Sequence, residues 1–218
     1  MTLKTTKAKM PKKRATSTSS PVNVTAPVVT SSVVERIRSR DPKKQVRPDG
    51  PPGPWVLLAA WGPCGYAPFA PGTAGTIGAI PLFWLLRGLP LPLYLVTVLA
   101  FIALASYAAQ HAGVYWKVTD ASPIVVDEVA GYLVTMALAP WSWQAALAGF
   151  LFFRVFDVVK PWPACYFDSS VKNGFGVVMD DVVAGVYGAA ALWILEFGLR
   201  SALGCGAGLP WYCSLTTP

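Results

Sequence analysis

The sequence predicts an all-α, membrane-associated bundle of about five or six helices, some of them transmembrane. Three observations predict it. The 218 residues are 54% hydrophobic and only 13% charged, against roughly 25% charged residues in an ordinary soluble domain. Long apolar runs alternate with short polar breaks, and nowhere is there the period-2 alternation of a half-buried strand. Gly and Ala recur within the runs (Ala145, Ala146, Ala148 and Gly149; Gly185, Gly188, Ala189, Ala190 and Ala191), and small residues let helices approach closely in lipid.

Residues 1–54 read as a basic tail and linker. The first 50 residues hold twelve Lys or Arg against three Asp or Glu, a net +9, while the rest of the chain is net −2. Rich in Ser, Thr, Pro and Lys, the tail cannot bury enough apolar surface to offset its ordering entropy and is expected to be disordered. It lacks the apolar core of a secretory signal. A solvated extension is the simplest reading; an organellar transit peptide and a strip binding anionic lipid are the alternatives. By the positive-inside rule its charge favours the cytoplasm. "PDGPPGP", from Pro48 to Pro54, marks where the tail gives way to the body.

The body is expected over residues 55–200, with a C-terminal extension over 201–218. Residues 56–61 are too short to span anything. Residues 73–86, fourteen positions ending before Arg87, suit a buried or re-entrant helix. Residues 91–109 carry no charge and cover roughly 28 Å as a helix, which makes them the best transmembrane segment. Residues 125–139 are apolar apart from Asp127 and Glu128 in mid-helix, and Pro140 is the stop. Residues 142–159 form a second long run with Arg154 and Asp157 in its final third. Residues 181–199 form a third, with Asp180 and Asp181 expected at its N-terminus, where the helix dipole favours carboxylates. Cys64, Cys165, Cys205 and Cys213 form no CxxC pair and His111 is the lone histidine, which argues against zinc. The cysteines read as mostly reduced, with a Cys205 to Cys213 link left open.

Asp127, Glu128, Asp157, Asp180 and Asp181 all sit within or at the ends of apolar helices, where an unpaired charge is expensive. In "FRVFDVVKPWP", Arg154, Asp157 and Lys160 follow at i, i+3 and i+6, so a helix would present plus, minus and plus on one face before Pro161 and Pro163 end it. Capping accounts for one of Asp180 and Asp181 but not both. Carboxylates gathered in a low dielectric go neutral unless a cation sits among them. Oxygen ligands without His or Cys indicate a hard ion, and Mg²⁺ is the usual choice beside phosphate. In "APFAPGTAGT", Gly72 and Gly75 free the backbone while Thr73 and Thr76 are placed to cap the next helix, whose N–H groups make an anion site. An anion site, basic residues and an acidic metal site in one apolar chain suggest phosphoryl chemistry on a lipid.

Taken together, "GYAPFAPGTAGTIGAIPL", "DASPIVVDEVAGYLVTM", "FRVFDVVKPWPACYFD" and "GFGVVMDDVVAGVYGA" resemble, in the same order, the four motifs of the phosphatidylglycerophosphatase A family, from about Gly62 to Leu199. The resemblance implies a membrane enzyme with a phospholipid substrate, hydrolysing phosphatidylglycerophosphate to phosphatidylglycerol and phosphate with Mg²⁺, in the bacterial cytoplasmic membrane. Asp127, Glu128, Asp157, Asp180 and Asp181 would be catalytic and hold the ion directly or through water. Arg154 and Lys160 would neutralise the phosphomonoester, and the turn of Gly72, Thr73 and Thr76 would donate N–H groups to it. Asp168 is a weaker candidate, and Asp120 also fits the pattern. No single acid is marked as general base.

Other phosphatase chemistries are closed. Cysteine-nucleophile enzymes need Arg six positions after Cys, but Ala70, Val171 and Trp211 follow Cys64, Cys165 and Cys205 there. Asp-x-Asp is absent, and one histidine does not make a phosphohistidine site. The alternatives are a transporter or ion-coupled carrier with a buried acid and base relay and, behind it, a CDP-alcohol phosphatidyltransferase, whose Asp-Gly-x-x-Ala-Arg motif is missing. No nucleic-acid partner is expected, and nothing in the sequence sets the oligomeric state.

Overall fold

The computed structural model describes residues 50–140 and 142–202. The basic tail up to residue 49, the Cys205 to Cys213 link and nearly all of the C-terminal extension lie outside the described residues. Cys64 and Cys165 are free thiols.

Among the described residues the chain is all-helical: α1 (Pro54–Ala59), α2 (Pro71–Leu86), α3 (Leu91–Trp116), α4 (Val126–Thr135), α5 (Trp143–Val159), α6 (Ala164–Ser170) and α7 (Gly174–Ala202), with a single 3₁₀ turn at Cys64–Tyr66. Five of these have ten residues or more, matching the expected bundle, and α1 and α6 are short additions. Proline opens α1, α2 and α3 within their first two positions, where its missing N–H costs nothing and its fixed φ is already helical. Ser142 caps α5 by accepting from the Ala145 N–H at 3.1 Å.

Helix α7 is the central post, packing against α3, α4, α5 and α6, while α2 lies on α4 and α1 on α3. One apolar core joins Ala105, Ala108, Ala109 and Ala112 of α3 to Val56 of α1 and Val178 of α7. A second joins Phe83, Tyr132, Leu133, Phe153 and Leu192. Glycines set the closest crossing: a Cβ at Gly185 would run into the Gly131 carbonyl, and one at Gly131 into Phe153 and the Asp181 carbonyl. The small-residue content of the sequence is thus spent at the α4–α7 contact.

Two boundaries differ from expectation in a way that matters for the site. Helix α7 begins at Gly174, so Asp180 and Asp181 lie inside it and do not open it. Gly174 donates its N–H to the Gln110 side chain at 2.8 Å, and Asn173 accepts from the Gly176 N–H at 2.9 Å, so this glycine-rich start is fixed by contacts rather than propensity. Conversely, Asp127 and Glu128 sit in the first turn of α4 and not in its middle. Helix α3 also runs on to Trp116, beyond residue 109, and closes with Lys117 in the left-handed region (φ 57).

The helices Leu91–Trp116 and Gly174–Leu199 are long and apolar enough to cross a membrane. Only 22% of the most apolar stretch of each is buried, whereas a core helix of a soluble protein would be covered. Leu95, Val96 and Leu99 on α3, and Trp193, Ile194 and Phe197 on α7, face outward.

Candidate active site

The polar residues collect at one end of the bundle, where α2, α4 and α7 begin and α3 and α5 finish. Asp127, Glu128, Asp157, Lys160, Asp180 and Asp181 are each 8% exposed or less. Within this set Asp127, Glu128 and Asp181 can each bring an oxygen to within 4.8 Å of the others. Two come from the first turn of α4 and the third from the interior of α7, joined across the Gly131–Gly185 contact.

Asp157 and Asp180 are engaged differently. The Arg154 Nη1 donates to Asp157 Oδ2 at 2.7 Å, one turn apart on α5. Lys160 Nζ donates to Asp180 Oδ2 and, at 3.1 Å, to Asp168 Oδ1. The expected plus, minus, plus face therefore holds only for its first rung. Lys160 is the C-cap of α5 and adopts a left-handed conformation (φ 45, ψ 66), so it leaves the face of Arg154 and Asp157 and turns toward α6 and α7. Asp168, the weaker candidate, lies within α6 and accepts from Lys160. Asp180 Oδ1 also accepts the Asp181 N–H at 2.9 Å.

Helix α2 points its N-terminus at this cluster. A Cβ at Gly72 would collide with the Glu128 carboxylate and reach Arg154 Nη1 at 3.4 Å; glycine is what lets the backbone pass so close. Gly75 abuts Val125 in the same way. The expected threonine caps are not formed. Ala70, left-handed at φ 46, is the N-cap and no side chain caps the helix. Thr76 is fully buried and donates its hydroxyl to the Gly72 carbonyl at 2.9 Å, so it braces the glycine turn from within. Thr73 lies in the first turn, where backbone N–H groups have no partner in the helical ladder.

Burial pushes the Asp127 carboxyl well above the ordinary carboxylate range, and the charges of Glu128 and Asp181 add to the shift. Asp127 Oδ1 is buried with no hydrogen-bond partner among the described residues. Asp120, half-buried in the loop before α4, is an electrostatic neighbour of both Asp127 and Asp180. As a loop acid outside any apolar run it carries no mark of burial in the sequence, and its fit to the family pattern just ahead of Asp127 and Glu128 is the one signal that points to it.

The arrangement offers a carboxylate trio for a hard cation, two cations held by buried acids and a helix N-terminus for an anion. The family model described as Phosphatidylglycerophosphatase A matches residues 57–196. The chain is 41% identical over 143 residues to Phosphatidylglycerophosphatase A of Escherichia coli, covering 65% of this chain and 83% of that protein. It is 38% identical over 147 residues to the protein of the same name from Haemophilus influenzae, covering 66% and 90%. It is also 37% identical over 156 residues to a protein of Bacteroides thetaiotaomicron named Putative phosphatidylinositol-3-phosphatase, covering 64% and 94%. No solved structure matches the chain. The family match spans the glycine turn and every acid and base of the cluster, and the chain belongs to the phosphatidylglycerophosphatase A family.

Proposed function

We propose that this chain is a lipid phosphatase that hydrolyses phosphatidylglycerophosphate to phosphatidylglycerol and phosphate with the help of Mg²⁺. The observation that carries the reading is the meeting of three buried carboxylates with Arg154, Lys160 and the α2 N-terminus at one end of a bundle whose two longest helices expose apolar side chains.

The residues fit a divalent ion. Asp120, Asp127, Glu128, Asp157, Asp168, Asp180 and Asp181 are seven carboxylates against three nearby cations, Arg154, Lys160 and, on the Asp168 carbonyl, Lys172, a balance that would repel a phosphate. Asp127 Oδ1 is a buried acceptor with no hydrogen-bond partner among the described residues, on a residue of the trio, and all-oxygen donors suit Mg²⁺. Asp127, Glu128 and Asp181 would hold the ion, whereas Asp157 and Asp180 hold Arg154 and Lys160 in place. Bound there, Mg²⁺ would neutralise phosphoryl charge and acidify a water.

The protein's own groups do the rest. Arg154, with its guanidinium beside Gly72, and Lys160 face the phosphomonoester as fixed donors. The first-turn N–H groups of α2, at Gly72 and Thr73, meet its oxygens from the positive end of the helix dipole. Because Asp157, Asp168 and Asp180 fix both cations beforehand, little reorganisation accompanies substrate binding. The names of the relatives support a lipid phosphomonoester as the shared substrate class, and two specify phosphatidylglycerophosphate. Neither a carrier nor a phosphatidyltransferase is favoured by any of the three names.

The placement we infer is the bacterial cytoplasmic membrane with the site on the cytoplasmic side. Tyr115, near the site end of α3, donates to the Gly50 carbonyl at 2.9 Å, so the +9 tail joins the bundle at that end. Lys117, Lys160 and Lys172 lie there too, against Arg87 and Arg200 at the other end, an asymmetry that orients the site inward. Purified protein should release phosphate from phosphatidylglycerophosphate in mixed micelles with Mg²⁺ and stop with chelator, and Asp181→Asn should stay folded without turnover. Chelator-resistant release, or a fully active Asn variant, would remove the ion from Asp181.

A further inference from the structure

We propose that Phe69 and Trp162 form an apolar rim that seats the diacyl end of the phospholipid substrate while its phosphate lies against Arg154 and Lys160. The inference rests on the lipid-phosphatase reading and adds the means by which the site takes hold of a lipid rather than any phosphomonoester.

Phe69 is 87% exposed and Trp162 75% exposed. Single exposed apolar residues are ordinary, but these two are joined to the site from different loops by the same local design. Phe69 lies in Pro68-Phe69-Ala70-Pro71, three positions before Gly72, with Ala70 left-handed at φ 46. Trp162 lies in Lys160-Pro161-Trp162-Pro163, two positions after the buried lysine, which is left-handed at φ 45. Prolines fix φ on both sides of each aromatic, so the rings are displayed at small entropic cost and are not tips of floppy loops. The second loop is also tied down: Tyr187 of α7 donates its hydroxyl to the Trp162 carbonyl at 2.8 Å while its ring stacks on Phe156.

Position selects the occupant. Arg154 and Lys160 draw the phosphate inward, and whatever is covalently attached to it must leave past the loops that carry Gly72 and Lys160. The apolar surface is continuous with those loops, since Val155, Val158 and Val159 of α5 are exposed and lead directly to Lys160. A water-soluble phosphate ester has nothing to place against two outward aromatic rings beside an apolar helix face. A diacylglycerol moiety, joined to the bound phosphomonoester through the headgroup glycerol and its phosphodiester, does, and burying each ring against it is worth about a tenfold gain in affinity or more.

The test uses full-length protein in mixed micelles and two non-hydrolysable phosphonate ligands, one carrying two long acyl chains and one water-soluble. The double variant Phe69→Ser/Trp162→Ser should lose about tenfold or more in affinity for the long-chain phosphonate and none for the soluble one, while Phe69→Leu/Trp162→Phe should retain most of it. Equal losses on both ligands, or none on either, would overturn the rim. So would a change only in micelle partitioning with surface-normalised affinity unaltered, which would make the aromatics a general membrane anchor. Wild-type protein that binds both phosphonates but releases no phosphate from phosphatidylglycerophosphate would instead defeat the enzymatic reading and leave the rim standing.

Discussion

Gly72→Ala separates what the fold needs from what the site needs. Gly72 is helical without positive φ, so alanine fits the backbone, and alanine is favoured over glycine within a helix by up to about 1 kcal/mol. The new Cβ would nevertheless strike the Glu128 carboxylate, with Glu128 Cδ at 3.1 Å and Arg154 Nη1 at 3.4 Å. The struck atom is the end of a flexible side chain, which gives way at little cost in stability. Giving way moves a carboxylate of the trio by about 1 Å, and a misplacement of that size costs about 100-fold in rate. Phosphate release from phosphatidylglycerophosphate in mixed micelles should therefore fall by about two orders of magnitude while thermal unfolding in the same detergent stays within a few degrees of wild type. Turnover within about threefold of wild type would refute the placement of Gly72 and Glu128 at the reacting phosphate. A drop of about 10 °C in Tm would show instead that the glycine serves packing.

Three further outcomes follow from the same geometry. Mg²⁺ at about 100 times its Kd should stabilise the metal-stripped protein by about 2.7 kcal/mol, read as a rise in Tm, and Asp127→Asn should abolish that rise. Lys160→Met leaves the buried Asp180 without its ammonium, at a cost of about 3–5 kcal/mol; adding Asp180→Asn should restore most of the Tm in thermal melts but none of the phosphate release. Gly131→Ala should behave oppositely to Gly72→Ala, lowering Tm through about 1–3 kcal/mol of overpacking, because its Cβ meets the Phe153 ring and the Asp181 carbonyl at 2.6 Å.

The acids that the structure buries at one end of the bundle were legible in the sequence because charge is rare in so apolar a chain: Asp127, Glu128, Asp157, Asp180 and Asp181 stand out wherever they are placed along their helices. Helix identity was legible for the same reason, since apolar run length and proline position are local properties. Residues 142–159 agree with α5 almost to the residue, with Ser142 as its cap. Local signals failed at Gly174 and Gly176, whose low helix propensity hid the true start of α7. That start is held by Gln110, sixty-four positions earlier in the chain, a contact that no window along the sequence contains.

The sequence by itself therefore determined that buried acids, two bases and a glycine turn share an apolar helical bundle. The tertiary structure alone decided how they divide. Asp127 and Glu128 open their helix while Asp180 and Asp181 sit inside theirs. Lys160 turns away from Asp157 to Asp180, and Asp127, Glu128 and Asp181 come within reach of one another. The physical reason is that an ion pair depends on through-space distance and burial. Helical periodicity places Arg154 and Asp157 correctly because they share one turn, but it has no knowledge of a left-handed residue at Lys160 or of the glycine contact that brings α4 and α7 together.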